Sequence, residues 1–164
     1  MTLHDVTFEK ELICRFHDTQ TERIMHDSYG LLPSGIFMCS IFAVLNINDE
    51  LQALRQVALK QSRLMRHRGP DWSGIYACEG AVLAHERLAI VDVNTGAQPL
   101  FSPDGKQSLA VNGEIYNHKT LRANLAQPFE FATESDCEVI LPLYLEKGSG
   151  FINDLHGMFA FVLY

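Results

Sequence analysis

No two cysteines in this 164-residue chain form a Cys-x-x-Cys pair. Cys14, Cys39, Cys78 and Cys137 are scattered, so a zinc site built from them would need convergence without pattern. A disulfide framework is equally disfavoured at this size, and free thiols in a reducing cytoplasm are the default. The chain also lacks a long apolar run: nothing approaches the roughly 18 consecutive apolar residues of a membrane span. Its first 37 residues have no basic start followed by an apolar core, which argues against a secretory signal. Positive charge is short. Thirteen Lys and Arg face 20 Asp and Glu, for a net charge of -7, which argues against a nucleic-acid-binding face. No Gly-rich loop ends in Lys-Ser/Thr, so nothing here predicts ATP binding. His85-Glu86 is not a zinc motif either, because the position four residues beyond His85 is Ala89.

What is present reads as one soluble domain, with 47% hydrophobic and 20% charged residues. Met1–Phe37 stands apart from the rest. Phe8 to Phe16 has the spacing of two helical turns, marginal in isolation, and Gly30-Leu31-Leu32-Pro33-Ser34-Gly35 breaks any regular element. We expect this leader to be poorly ordered or weakly docked. From Ser40 the pattern sharpens. Ser40–Asn46 reads as a buried strand, and Leu51, Leu54, Val57, Ala58, Leu64 and Met65 keep helical spacing after a cap at Asn48 or Asp49. Arg66-His67-Arg68 suits the C-terminal dipole of that helix, and Gly69-Pro70 stops it.

Ser73–Cys78 and Ala81–Ala84 read as strands around a Glu79-Gly80 turn. Arg87–Val93 continues as extended chain and Asn94–Pro99 as a loop. Ser108–Asn112 is a further strand that ends at Gly113. Asn117–Leu125 reads as a helix, Phe129–Thr133 as a short strand, and Asp136–Lys147 as a helix capped by Ser135 or Asp136. Pro142 inside that helix costs about 3 kcal/mol unless a kink accommodates it. Met158–Tyr164 has strand character, and so apolar a strand at the end of the sequence would leave an unprotected edge. We therefore expect a truncated domain.

Splitting a side-chain amide needs a nucleophile, a base, an oxyanion pocket and groups that hold the substrate's charged end. Cys39, in Met38-Cys39-Ser40-Ile41-Phe42, is the one cysteine whose setting suggests a role. Were it N-terminal, its α-amine, with a pKa near 8, would be a competent base for its own thiol. With 37 residues before Met38 that nitrogen is an amide, whose lone pair is delocalised. Asn112-Gly113 offers a side-chain amide and a bare backbone N–H to a developing oxyanion. Arg87 can grip a carboxylate through two parallel bonds, and Asp136 can hold an ammonium group. Each residue taken alone also has an ordinary explanation: a core thiol, a strand-to-turn Asn-Gly, a surface arginine, a helix cap.

The ordered set is more specific than its parts. Met38-Cys39-Ser40-Ile41-Phe42, Arg66-His67-Arg68-Gly69-Pro70-Asp71, His85-Glu86-Arg87-Leu88-Ala89-Ile90-Val91-Asp92, Gly96-Ala97-Gln98-Pro99-Leu100, Asn112-Gly113-Glu114-Ile115-Tyr116-Asn117 and Ser135-Asp136-Cys137-Glu138 follow one another in order. Together they resemble the glutaminase domain of the bacterial B-type, glutamine-hydrolysing asparagine synthetases, a class II, N-terminal-nucleophile amidotransferase domain. The resemblance runs from Met38 to Tyr164.

It implies an α+β fold, a four-layer αββα sandwich, incomplete at the C-terminus. It implies that Cys39 attacks glutamine with its freed amine as base, and that Asn112 and the Gly113 N–H form the oxyanion hole. Arg87 would bind the α-carboxylate and Asp136 and Glu114 the α-ammonium group. The backbone of Leu88, Ala89, Ile90 and Val91 would line the pocket. No cofactor or metal is implied for this chain, since ATP and magnesium would belong to an absent synthetase domain that takes the ammonia to activated aspartate. L-glutamine is the implied substrate and a homodimer a possible assembly.

The departures from the family are the absent synthetase part, the leader, Ala43 where relatives often carry glycine, and Pro142. For the leader three readings stand: a start assigned too far upstream, a cleaved propeptide, or an extension retained on an inactive remnant. The functional alternatives are accordingly a glutaminase fragment and a catalytically dead domain that at most binds glutamine or a partner.

Overall fold

The computed structural model describes residues 39–47, 50–88 and 96–164, together with the backbone of Leu12–Arg15. Strands β1 (Leu12–Arg15), β2 (Ser40–Leu45), β3 (Trp72–Cys78), β4 (Ala81–Arg87), β5 (Leu100–Phe101), β6 (Ser108–Ile115) and β7 (Gly157–Leu163) make two antiparallel sheets. One runs β2-β4-β3 and the other β1-β7-β6-β5. The hairpin β3–β4 turns at Glu79-Gly80, where Gly80 takes φ 88°, a conformation natural to glycine. All seven residues of β4 are buried, because both faces are covered.

The two faces of β4 separate by parity, as a pleated strand requires. Ala81 and Leu83 join Ala110 of β6 and Val162 of β7 in one apolar cluster, so this face meets the other sheet. Glu86 faces helix α1 (Leu51–Leu64), whose Ser62 hydroxyl donates to its carboxylate at 2.6 Å. The far face of the second sheet carries Leu109, Val111, Ile115, Phe159, Phe161 and Leu163. These pack on Ile140, Leu141 and Leu143 of helix α3 (Ile140–Lys147) and on Phe151. Each large side chain so buried contributes about 1.5–3 kcal/mol from the apolar surface it removes from water. The arrangement is a mixed α/β fold with two antiparallel sheets and, among the described residues, three helices, α2 being His118–Ala123. No helix among them is long and apolar enough to cross a membrane.

Several expected elements differ. Leu12–Arg15, expected within two helical turns of a poorly ordered leader, is instead a strand paired with β7, Leu12 opposite Val162 and Arg15 opposite Phe159. A helix this short is marginal, whereas the open side of β7 offers a ready row of ladder partners. β7 consequently lies between β1 and β6 and is not the unprotected edge expected. The N-cap position of α1 is Glu50, with no side-chain cap, and Asn48 and Asp49 lie outside the described residues.

Phe129–Thr133 is not a strand. Its Ala132 and Thr133 N–H groups donate to the Glu138 carboxylate at 2.7 and 2.8 Å, which takes two of its donors from a neighbouring strand. Arg122 stacks over Phe131 and donates to the Ser135 carbonyl at 2.7 Å, which pins the same segment. The helix expected over Asp136–Lys147 begins as a 3-10 turn, Asp136–Val139, capped by the Ser135 hydroxyl. Pro142 therefore falls in the first turn of α3, where an amide hydrogen has no helical use, and its cost is avoided.

Candidate active site

Cys39 directly precedes β2 and shares the parity of Ile41, Ala43 and Leu45, the residues turned toward the second sheet. Its sulfur accepts the Leu88 N–H at 3.2 Å and lies 3.4 Å from the Leu88 carbonyl, to which the thiol donates. Burial pushes the thiol pKa above its ordinary value, and the Leu88 N–H and the Arg87 charge only partly offset this. A thiol so placed needs a proton acceptor before it can attack.

Arg87 ends β4, one residue along from the Ser40–Glu86 pair, which sets it beside Cys39. It is 7% exposed, and its carbonyl takes the Asp71 N–H at 3.1 Å. Behind it, Glu86 is 1% exposed and accepts bonds from Ser62 and Ser73, with Arg66 3.6 Å away. Gly69 has no room for a side chain, since a Cβ there would lie 2.2 Å from the Glu86 carbonyl oxygen. The turn after α1 is thus pressed onto the backbone that presents Arg87.

The second sheet contributes through its backbone. Ser108 and Tyr164 exchange both main-chain bonds, and Tyr116 donates to the His156 carbonyl. Even-numbered positions of β6 therefore bond to β7, and odd-numbered ones point the other way. Leu109 meets β5, which is only two residues long. Beyond it Val111 is held by side chains: its N–H donates to Gln98 Oε1 at 2.6 Å and its carbonyl lies 2.8 Å from His85 Nε2. The Ile115 N–H donates to Asp136 Oδ2 at 2.6 Å. Between them the Gly113 carbonyl accepts from the Cys137 thiol at 3.5 Å. By the same parity the Gly113 N–H points out of the ladder. Gly113 adopts φ 146°, and a Cβ on it would lie 1.9 Å from the Met158 oxygen, so only glycine fits.

These groups share one open-sided cavity, lined by Cys39, Arg87, Leu88, Gly96, Gln98, Val111, Gly113, Glu114, Ser135, Asp136 and Cys137. Its charge is arranged in two parts, the Arg87 guanidinium and the Glu114–Asp136 pair of carboxylates. Burial raises the Glu114 pKa and the neighbouring Asp136 charge adds to the rise. Cys137 is fully buried, and burial, with Asp136 beside it, pushes its thiol well above the usual range. It is a packing residue, not a second nucleophile. His85, wholly buried, is pushed down to about 4 by burial, and its Nδ1 has no hydrogen-bond partner among the described residues.

Of the residues singled out in the sequence, Cys39, Arg87, Leu88, Gly113, Glu114 and Asp136 come together around this cavity. Asn112 does not line it. Its side chain shares the parity of Ala110, toward the other sheet, and its Oδ1 is buried without a hydrogen-bond partner among the described residues. Ala89, Ile90 and Val91 lie outside the described residues. Sequence reasoning assigned no role to Gln98, His85 or Glu86, although all three stand in the quoted motifs. The available signal was a polar side chain inside an otherwise apolar strand, as with Glu86 in β4.

Residues 38–164 match the family described as a glutamine amidotransferase domain. The chain is 64% identical over 127 residues to asparagine synthetase B [glutamine-hydrolyzing] of Escherichia coli (strain K12), covering 77% of this chain and 23% of that protein. It is 55% identical over 127 residues to the probable asparagine synthetase [glutamine-hydrolyzing] of Schizosaccharomyces pombe, with 77% and 23% covered. With asparagine synthetase [glutamine-hydrolyzing] 3 of Arabidopsis thaliana it is 56% identical over 126 residues, with 77% and 22% covered. The chain thus spans less than a quarter of the length of these curated relatives.

Proposed function

Since the chain belongs to the glutamine amidotransferase domain family, we propose that its cavity binds L-glutamine and that Cys39 hydrolyses the side-chain amide once its α-nitrogen is free. One observation carries the proposal. A thiol, a guanidinium, two carboxylates and an outward backbone N–H line the same cavity. That is the complement of a zwitterionic amino acid with a carboxamide at its far end.

Arg87 takes the α-carboxylate. Asp136 and Glu114 take the α-ammonium group, and because Asp136 Oδ2 is already held by the Ile115 N–H, Oδ1 is the oxygen offered. Attack forms the Sγ–C bond while the thiol proton passes to the Cys39 amine. The Gly113 N–H stabilises the resulting oxyanion, such a donor being worth about 2.7–4 kcal/mol, and the Asn112 side-chain amide joins it only by turning from its place between the sheets into the cavity. Collapse expels ammonia, which leaves with the proton the amine held, and water then splits the thioester to glutamate. The raised Cys39 pKa makes a local base necessary for this sequence.

On this reading the two sheets and their outer helices are the inner and outer layers of an αββα sandwich. Ammonia passes to a synthetase part outside these residues, where the ATP- and magnesium-dependent chemistry belongs, and the protein works in the cytoplasm. One feature favours a second reading. Met38 is bonded to Cys39 in the chain as written, and an amide nitrogen cannot act as the base. With that bond intact the cavity binds glutamine without hydrolysing it.

A glutaminase assay on protein beginning at Cys39 tests the proposal. Ammonia release is expected from it and is expected to vanish in Cys39→Ala. Release that persists in Cys39→Ala excludes the mechanism.

A further inference from the structure

Among the described residues, β6 has a strand neighbour on its outer side only at Leu100–Phe101, opposite Leu109 and Ser108. Past that point the strand would be free to flex away from β7, yet it is the stretch that presents Gly113 to the cavity. Two side chains occupy the place of the missing strand. The Gln98 carboxamide oxygen accepts the Val111 N–H at 2.6 Å, and His85 Nε2 donates to the Val111 carbonyl at 2.8 Å. A neighbouring strand would make the same two bonds.

His85 is rooted in the opposite sheet, and Gln98, in the bend two residues before β5, rests against that sheet. His85 is a residue of β4, two positions before Arg87. Gln98 lies on β3: a Cβ on Gly74 would stand 1.7 Å from the Gln98 carbonyl oxygen, so backbone rests on backbone there. The sheet that carries the thiol and the guanidinium thus holds the strand of the oxyanion donor directly through His85 and backs Gln98 through Gly74.

We infer that Gln98 is a positioning residue for oxyanion stabilisation: it clamps Val111 from the β3 side and so fixes the direction of the Gly113 N–H relative to Cys39. This rests on the reading of Gly113 as an oxyanion donor. Gln98 fits the task because a neutral carboxamide supplies an acceptor oxygen at the end of a two-methylene stem. Gln98→Met keeps the length and removes the acceptor. Gln98→Glu keeps an acceptor oxygen at the same reach.

Amide hydrogen exchange by NMR on the full chain gives the first test. In Gln98→Met the Val111 amide is expected to exchange about 10-fold faster, the worth of one hydrogen bond. Ala110 and Asn112, bonded to β7, keep their rates, and Gln98→Glu restores protection at Val111. An unchanged Val111 amide, or equal acceleration of all three, overturns the inference.

Affinity gives the second test. The open-chain form of L-glutamate γ-semialdehyde adds the Cys39 thiol across its C=O bond, with the thiol proton ending on the new hydroxyl, so no free amine is needed. Its oxygen occupies the oxyanion position, whereas L-glutamate fills only the amino-acid end of the cavity. Gln98→Met is expected to weaken the aldehyde about 10-fold and L-glutamate less than about 2-fold. Equal weakening of both makes Gln98 a simple binding contact and overturns the inference. A parent chain that binds neither compound refutes the glutamine reading, and the exchange result then decides the clamp by itself.

Discussion

β4 and β6 serve the same cavity by opposite means. β4 is buried on both faces and acts through side chains: Arg87 toward the cavity, His85 toward β6 and Glu86 toward α1. β6 acts through its main chain, with Val111 and Ile115 held by side chains from elsewhere and Gly113 turned into the cavity. The difference teaches where information about a site is stored. A guanidinium or a thiol is written as a letter. A main-chain N–H is available at every non-proline residue, and only the surrounding bonds decide which one is left free.

The comparison predicts that the two strands break differently. Gly113→Ala should be the most damaging change, costing about 4 kcal/mol from forced backbone conformation and collision with Met158. Denaturant unfolding measures it, and a loss under about 1 kcal/mol would mean that the close approach of β6 to β7 is not real.

His85 joins the two strands and makes stability depend on pH. Its imidazole titrates near 6.5 when unfolded and near 4 when folded, so between those values the unfolded chain binds the extra proton. The contribution is fully present above about pH 6.5 and falls by about 3 kcal/mol as pH drops to about 4. Replacing the residue, as in His85→Gln, should flatten this part of the stability–pH curve, and an unchanged slope would assign it to other groups.

Arg87→Lys should leave folding nearly intact while weakening L-glutamine binding by about 2 kcal/mol, roughly 30-fold, because an ammonium cannot make two parallel bonds to a carboxylate. Calorimetric titration reads this directly, and unchanged affinity would remove Arg87 from the binding set. Smallest is Ser73→Ala, which takes one of two hydroxyl donors from the buried Glu86 and should cost about 1.5 kcal/mol of stability. No cost there would mean that Ser62 and Arg66 satisfy Glu86 unaided.

The same contrast explains what could be read without the fold. Apolar runs and the turns that bound them placed β2, β3, β4, β6 and β7, and the 3.6-residue period placed α1, because burial imposes those patterns on side chains. Chemistry-bearing letters likewise marked Cys39, Arg87 and Asp136, the resemblance added Glu114, and Asn112, marked with them, does not line the cavity. The two-residue β5 is too short for any pattern, and β1 forms where β7 offers an edge, which its own residues do not announce. Phe129–Thr133 had the letters of a strand, but Glu138 took two of its N–H groups. Gln98 stood in a quoted motif without a role because its partner is a peptide group 13 residues away.

Hydrolysis by this cavity turns on the nitrogen of Cys39. Ammonia release from L-glutamine should be compared, at equal concentration and pH, between the chain as written and the same chain beginning at Cys39, with mass spectrometry confirming each N-terminus. Only the second is expected to release ammonia, while both bind glutamine. Equal rates from a chain whose Met38–Cys39 bond is intact would contradict it.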